Sequence, residues 1–372
     1  MSSPSSHRAL LRAPLSASLL SISLGLCACD PVVDPSLDAS VAADAAASDA
    51  PAPDPGAVRW EAVDLPEAFP GGWGWSSAEL DDGRTLVLGG AIGVDADAVL
   101  DRVLVIEPGE TLAVRELAVS GDGPAPRWCA CATYDAARGR VLFAGGRNLD
   151  ALGGIAGTTW ELDPETGGYR ELAATPTPAG VIGCALAHAP ARRATYWFGG
   201  ASSATISGAM YRLHADGDTW VEVEAPGPTP RYDAELVALD ERRLLLFGGS
   251  YGSSGAAFYS DVWIFDTETE SWSEVEVGGA SPPGRRTPWL RLDDDGSGLY
   301  AGFGYDGRGA PLGDLHHFDL ESASWLEIAV PEPVPAARGF SRAARGPEGS
   351  IGLLLPGLGR GAVVRDAYVL AR

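Results

Sequence analysis

Leu244-Leu-Leu-Phe-Gly248-Gly249, Asp261-Val-Trp263-Ile-Phe-Asp266 and Trp272-Ser-Glu-Val275 follow one another closely, and their order decides the fold. The first run is apolar and ends in a glycine pair, where two backbones can approach or turn with no side chain to clash. The second is led by an acid and carries an aromatic at its third position. In the third, a tryptophan opens an alternation of apolar and polar residues, the period-two pattern of a half-buried strand. With the strand expected before the glycines, the unit has four strands.

The unit recurs along the chain. Upstream stand Thr85-Leu-Val-Leu-Gly89-Gly90, Val141-Leu-Phe-Ala-Gly145-Gly146 and Thr195-Tyr-Trp-Phe-Gly199-Gly200. Downstream stand Leu299-Tyr-Ala-Gly302-Phe-Gly304 and Leu353-Leu-Leu-Pro-Gly357-Leu-Gly359. The first glycines, Gly89, Gly145, Gly199, Gly248, Gly302 and Gly357, recur at nearly equal intervals, which marks a repeat architecture. Later landmarks keep step: Thr158-Thr-Trp160-Glu-Leu-Asp163 precedes Tyr169, Met210-Tyr211-Arg-Leu precedes Trp220, and Asp314-Leu-His316-His-Phe-Asp319 precedes Trp325. Turn signals such as Asp82-Gly83, Arg138-Gly139, Asp216-Gly217 and Asp295-Gly296 separate the strands.

These residues closely resemble kelch repeats, whose signature is a double glycine, an aromatic after it and a spaced tryptophan on one four-stranded blade. The resemblance covers residues 57–372, most of the chain, and implies an all-β, six-bladed kelch-type β-propeller. Phe303 and Leu358 split the glycine pairs of the last two repeats, which predicts irregular loops there. The sixth repeat stops at Arg372 without a fourth strand, while Trp60-Glu-Ala-Val63 is an unattached strand of the matching type. The N-terminal strand is therefore expected to complete the sixth blade, a closure that removes exposed sheet edges.

Composition agrees with a turn-rich β-protein. Gly (48) and Pro (28) make up about a fifth of the 372 residues, without a collagen period. Fifty acids against 27 bases give a formal charge of −23, which argues against a nucleic-acid partner because phosphates would go unneutralised. Every base is an arginine, and Asn148 is the only asparagine.

The first residues read as an address. Arg8 and Arg12 precede the apolar or small run from Ala13 to Leu26, which is shorter than the ~20 residues a spanning helix needs. It ends in Leu26-Cys27-Ala28-Cys29, which resembles a bacterial lipobox. That resemblance implies a lipoprotein-type signal peptide over 1–28 and a lipid on Cys29. An ordinary cleaved signal is the alternative. Residues 29–56 hold six aspartates, many alanines and prolines and no base, the composition of a disordered linker. The expected product is a membrane-anchored, extracytoplasmic lipoprotein, in the periplasm or at the cell surface.

Candidate site residues fall into two groups. Arg127, Arg231, Arg285 and Arg338 recur where each inner strand begins, Arg231 beside Tyr232. They are expected either to ring one mouth of the central channel as an anion-attracting focus, or to pair with a carbonyl or carboxylate inside the repeat. The longer connections after the glycine pairs, 91–100, 147–157, 201–208, 250–260 and 305–313, share one rim. They carry Arg147, Asn148, Asp150, Tyr251, Tyr305, Asp306 and Arg308, a mixture suited to recognition.

Metal and cofactor chemistry finds little support. A copper centre like that of the kelch oxidases related to galactose oxidase needs converging histidines, yet His316 and His317 are adjacent on one strand and face opposite ways. Asp293-Asp-Asp-Gly-Ser-Gly298 lacks the spaced ligands of a calcium loop and reads as a hairpin. Cys129, Cys131 and Cys184 leave two options, buried thiols or a bridge from Cys184 to one of the pair. The bridge looks misdirected by one residue.

Taken together, the residues point to a protein- or glycan-binding module tethered to a membrane through its lipid, with no cofactor and no catalysis. The alternative is a sugar-acid enzyme resembling periplasmic kelch epimerases that act on sialic acid. It would use Asp233 and Glu235 as an acid–base pair beside Arg231.

Overall fold

The computed structural model describes residues 58–372 apart from 67–68, 95, 97, 149–153, 173–180 and 253–256. Cys29, the expected signal and linker, and Asp150 lie outside the described residues. Six antiparallel sheets form the blades of a propeller, each with four principal strands. Blade four shows the common plan: inner strand Tyr232–Ala238, second strand Arg243–Tyr251, third strand Val262–Asp266 and outer strand Ser271–Val275. The other inner strands are Ser76–Glu79, Cys131–Asp135, Ala185–Ala189, Trp289–Leu292 and Ala343–Ala344. Pro190–Arg192 is the one helical turn among the described residues.

The ring closes as the repeat count predicts. Arg59–Val63 pairs antiparallel with Ala367–Ala371, with Trp60 opposite Leu370, so the first described strand is the outer strand of blade six. Outer-strand tryptophans pack against the preceding blade. The ring of Trp272 lies 5.3 Å from Phe198 of blade three, Trp325 5.2 Å from Phe247 of blade four, and Trp60 5.6 Å from Trp289 of blade five. Their burial joins neighbouring sheets into continuous apolar clusters.

The glycine pairs sit where one blade meets the next. A Cβ on Gly199 would stand 2.4 Å from the carbonyl oxygen of Arg231, the residue that opens the following blade. The amide of Gly200 donates to that same carbonyl at 3.0 Å. In blade five the register differs from the sequence expectation. Phe303, at φ +56°, takes the first seat and Gly304 the second, while Gly302 ends the strand Gly298–Gly302. The buried ring of Phe303 packs on Trp60, 5.6 Å away, which anchors this left-handed seat.

A second recurrent feature lies two residues past each arginine position. Gly74, Cys129, Gly183, Asp233, Thr287 and Phe340 all have left-handed backbone, with φ between +51° and +66°. Left-handed geometry costs a non-glycine residue roughly 1–2 kcal/mol, so a compensating bond is expected at each. The amides of Cys129, Gly183, Asp233 and Thr287 donate to the carbonyl of the belt residue one blade earlier, at 2.7–3.1 Å. Gly74 donates to Phe340 at 3.0 Å, and Phe340 closes the circle through the Thr287 hydroxyl at 3.1 Å. A continuous polar belt thus stitches the six inner strands together.

The belt also explains the cysteines. The left-handed turns at Cys129 and Gly183 rephase the strands that follow. Cys131 and Cys184 thereby face one another and form a disulfide between blades two and three, with Cα atoms 5.8 Å apart. The misdirection expected from simple alternation does not occur. Cys129 remains a buried free thiol.

Candidate functional site

The central channel differs at its two ends. At the belt end, one apolar cluster draws on all six blades: Trp73, Trp128, Ile182, Tyr232, Tyr305 and Phe340 are among its members. At the other end the inner strands splay around a cavity of about 590 Å³. Its wall carries Glu79, His188, Glu235, Arg291, Asp293 and Arg342.

Two ion pairs strap this cavity between blades that are not neighbours. Arg342 of blade six bonds Glu235 of blade four, and Arg291 of blade five bonds Glu79 of blade one. Each guanidinium is fixed by a further bond to a carbonyl, Arg342 Nε to Trp75 at 3.0 Å and Arg291 Nε to Ile351 at 2.8 Å. His188 also faces the cavity, while its Nδ1 lies 3.3 Å from the Thr195 hydroxyl, which donates to the fully buried Asp135 at 3.0 Å. Burial pushes the His188 pKa down against the pull of Asp135, favouring the neutral imidazole.

The carboxylates of the acid–base alternative are not assembled with Arg231. Glu235 is held by Arg342, and its pKa is raised by burial. Asp233 is buried in the belt, pushed up to about 6 by desolvation, with Arg286 at 3.7 Å and Arg342 drawing it the other way. Arg231 points instead into its own blade. The trio expected for sugar-acid chemistry is therefore split between channel and blade interior.

The recurrent arginines do not ring the channel mouth. Arg231, Arg285 and Arg338 are fully buried, and Arg127 is 4% exposed. Arg231 grips Asp261 with both terminal nitrogens at 2.6 and 2.8 Å, and Arg285 grips Asp314 at 2.7 and 2.6 Å. Arg338 pairs with Asp366 at 2.6 Å. Each Nε donates to the carbonyl two residues earlier, and the Nη1 of Arg231 and of Arg285 also reaches the carbonyl of the first glycine-pair seat of its own blade, Gly248 and Phe303. These are the repeat-internal pairs of the second expectation. Planar forks in desolvated surroundings suit such a role.

The rim residues also separate. Tyr305 is buried, its hydroxyl donating to the Leu358 carbonyl at 2.5 Å. Tyr232 is buried in the apolar collar beside it. Tyr305 follows the left-handed Gly304 and is turned inward from the rim on which it is expected, and Tyr232, expected beside Arg231 at the channel mouth, lies inside the same apolar cluster. Arg147 is half-buried, its guanidinium 5.5 Å from the Trp128 ring. Tyr251 and Arg308 are exposed. Among the described residues Tyr251, 47% exposed, is the aromatic one of four exposed large apolar side chains.

His316 and His317 do face opposite ways. His316 Nε2 lies 3.0 Å from Asp314, and His317 Nε2 lies 2.8 Å from Asp293. Asp293 heads a hairpin between the first two strands of blade five, its amide donating to Gly298 at 2.9 Å. Among the described residues no group of three His, Cys, Asp or Glu side chains is placed to hold a metal ion.

Comparison with known proteins agrees with this geometry. The family model of the KLHDC2/KLHL20/DRC7 kelch-repeats domain matches residues 173–346. The chain is 35% identical over 112 residues to the flagellar outer-arm dynein alpha chain of Chlamydomonas reinhardtii, covering 29% of this chain and 2% of that one. It is 28% identical over 153 residues to the serine/threonine-protein phosphatase BSL2 of Arabidopsis thaliana, covering 41% and 15%. A third match is acyl-CoA-binding domain-containing protein 5 of the same plant, 37% identical over 78 residues, covering 20% and 12%. The chain thus spans between 2% and 15% of the length of these relatives, and what is shared is repeat architecture.

Proposed function

The chain is a kelch-repeat β-propeller, and from that premise we propose that it acts as a lipid-anchored, extracytoplasmic binding module that recognises a protein through its loop-bearing rim. Kelch propellers commonly serve as protein-interaction modules. The observation that carries the reading here is the contrast between the two candidate surfaces. Glu79 and Glu235 in the channel are neutralised by arginines, whereas Tyr251 and Arg308 stand exposed on the rim, Tyr251 at the end of the strand Arg243–Tyr251. Exposed aromatic and arginine side chains are the usual anchors of protein interfaces.

The anchor and compartment rest on Leu26-Cys27-Ala28-Cys29 and on the aspartate-rich linker behind it. The Cys131–Cys184 bond supports an oxidising location, because such bridges persist outside the reducing cytosol. A tether of this composition would hold the acidic propeller away from anionic headgroups while the lipid retains it.

The test has two arms. The full chain expressed in a bacterium with labelled palmitate should take up label and fractionate with membranes, and Cys29→Ser should do neither. Equal labelling of both would overturn the anchor. Immobilised chain should capture an envelope protein that the Tyr251→Ala/Arg308→Ala double variant, of unchanged melting temperature, does not. Equal capture would overturn rim recognition. Capture of carbohydrate in place of protein would assign the same rim to a glycan.

A further inference from the structure

We propose that blade two carries a vacant carboxylate seat, built by Arg127, Thr158 and Trp160, that accepts the side-chain carboxylate of an aspartate or glutamate from a partner protein. Four blades carry a buried arginine at the same position. In blades four, five and six the buried arginine faces an aspartate at the head of the third strand: Asp261, Asp314 and Asp366. Two residues on, a polar aromatic bonds the same carboxylate. Trp263 Nε1 donates to Asp261 at 2.7 Å, His316 Nε2 lies 3.0 Å from Asp314, and the Tyr368 hydroxyl 3.3 Å from Asp366.

Blade two keeps the arginine and the aromatic but not the acid. Arg127 is buried in the same way, its Nε on the Ala125 carbonyl at 3.0 Å and its Nη1 on the Gly145 carbonyl at 3.0 Å. Where the aspartate should stand there is Thr158, whose hydroxyl lies 3.5 Å from Nη1 and receives the Trp160 indole N–H at 3.0 Å. Nη2, which in the other blades meets the aspartate, has no hydrogen-bond partner among the described residues and is not sealed from solvent. Blades one and three lack the whole device, with Gly72 or Val181 at the arginine position and Arg102 or Ala209 at the acid position. Among the described residues, an arginine of this set without its aspartate is thus peculiar to blade two. Burial accordingly pushes the Arg127 pKa down to about 10.

The nearest acid is not a substitute. Glu171 lies on the neighbouring outer strand opposite Trp160, and its counterparts Glu274 and Glu327 coexist with Asp261 and Asp314 in the blades that have the full pair. The seat also opens outward. The occupying carboxylates of the other blades keep 24%, 21% and 44% of their surface. An arriving carboxylate would meet a pre-oriented fork, the Thr158 hydroxyl and the Trp160 indole N–H that now rests on that hydroxyl, where the aspartates of the other blades meet the fork together with an indole, an imidazole or a phenol. The inference rests on the binding-module reading for the source of the carboxylate, and not for the seat itself.

The test titrates the full chain with N-acetyl-aspartate methylamide, using N-acetyl-asparagine methylamide at equal ionic strength as control. The readout is the indole N–H resonance of Trp160, assigned with Trp160→Phe. A saturable shift with the aspartate compound alone is expected. Thr158→Asp should abolish that shift and raise the melting temperature by about 2–4 °C by filling the seat from within. Equal shifts with both compounds, or a response that survives Thr158→Asp, would overturn the proposal. Absence of the response with partner capture intact sinks the seat alone, whereas a normal response with no capture sinks the rim reading alone.

Discussion

Asp314 accepts both terminal nitrogens of Arg285, at 2.7 and 2.6 Å, inside blade five, and the arginine has no exposed surface. A buried ion pair of this kind contributes little over an apolar replacement, but removing one member strands the other. Asp314→Ala is therefore expected to cost about 3 kcal/mol in urea unfolding, while the double change Arg285→Met/Asp314→Leu recovers most of that. Burial would raise the Asp314 carboxyl, but Arg285 and His316 hold it well below the ordinary range. Its stabilisation is accordingly full above about pH 4 and fades as pH falls further. A single and a double variant of equal stability would remove the ion-pair account.

Trp272 offers a test of the blade seam. Its ring stands 5.3 Å from Phe198 across the blade boundary and 5.0 Å from Phe265 within its own sheet. Trp272→Ala should destabilise by roughly 3–5 kcal/mol, chiefly by opening a cavity that rigid sheets cannot collapse. Val221→Ala, at a residue 50% exposed on an outer strand, should change stability by less than about 0.5 kcal/mol. A negligible loss at Trp272, measured by denaturant midpoint, would contradict the packing.

The blade count and the closure by Trp60 were legible because they are written in residue type. Only glycine fits beside the Arg231 carbonyl, and only a large ring spans the gap that Trp272 fills. The belt was not legible, since Gly74, Cys129, Asp233, Thr287 and Phe340 share a backbone conformation and no side-chain chemistry. That hidden turn, at Cys129, is what shifts Cys131 away from the direction simple alternation gives it. The arginines were visible by recurrence, but their aspartates lie far along the chain, at the head of another strand. Without the register of the sheet, a channel mouth and a blade interior looked alike.

The disulfide joins inner strands of adjacent blades across 53 residues of chain. Loop-closure entropy in the unfolded state predicts that reduction lowers stability by about 2–4 kcal/mol. Cys131→Ala/Cys184→Ala should lose the same amount and become insensitive to reductant. Cys129 is buried, so its thiol should react with a maleimide only after unfolding. Rapid labelling of the native, oxidised Cys27→Ser/Cys29→Ser protein would place Cys129 or an unbridged cysteine at the surface and refute the assignment.

Asp233 gives the belt a pH signature. Burial pushes its carboxyl up to about 6, while Arg286 and Arg342 pull it down and Glu235 adds to the rise. Between about pH 4 and 6 the native chain holds a proton that the unfolded chain has released, so stability falls as pH rises through that window. The change is about 2–3 kcal/mol and levels off above it. Glu235, raised in the same direction by burial, contributes with the same sign, so the informative quantity is a difference between proteins. Asp233→Asn should remove its own share, and the gap between its unfolding free energy and that of the parent should change by about 2–3 kcal/mol from pH 4 to pH 7. Parallel curves across that range would show that Asp233 titrates as it does in water, and would place its carboxyl outside the belt.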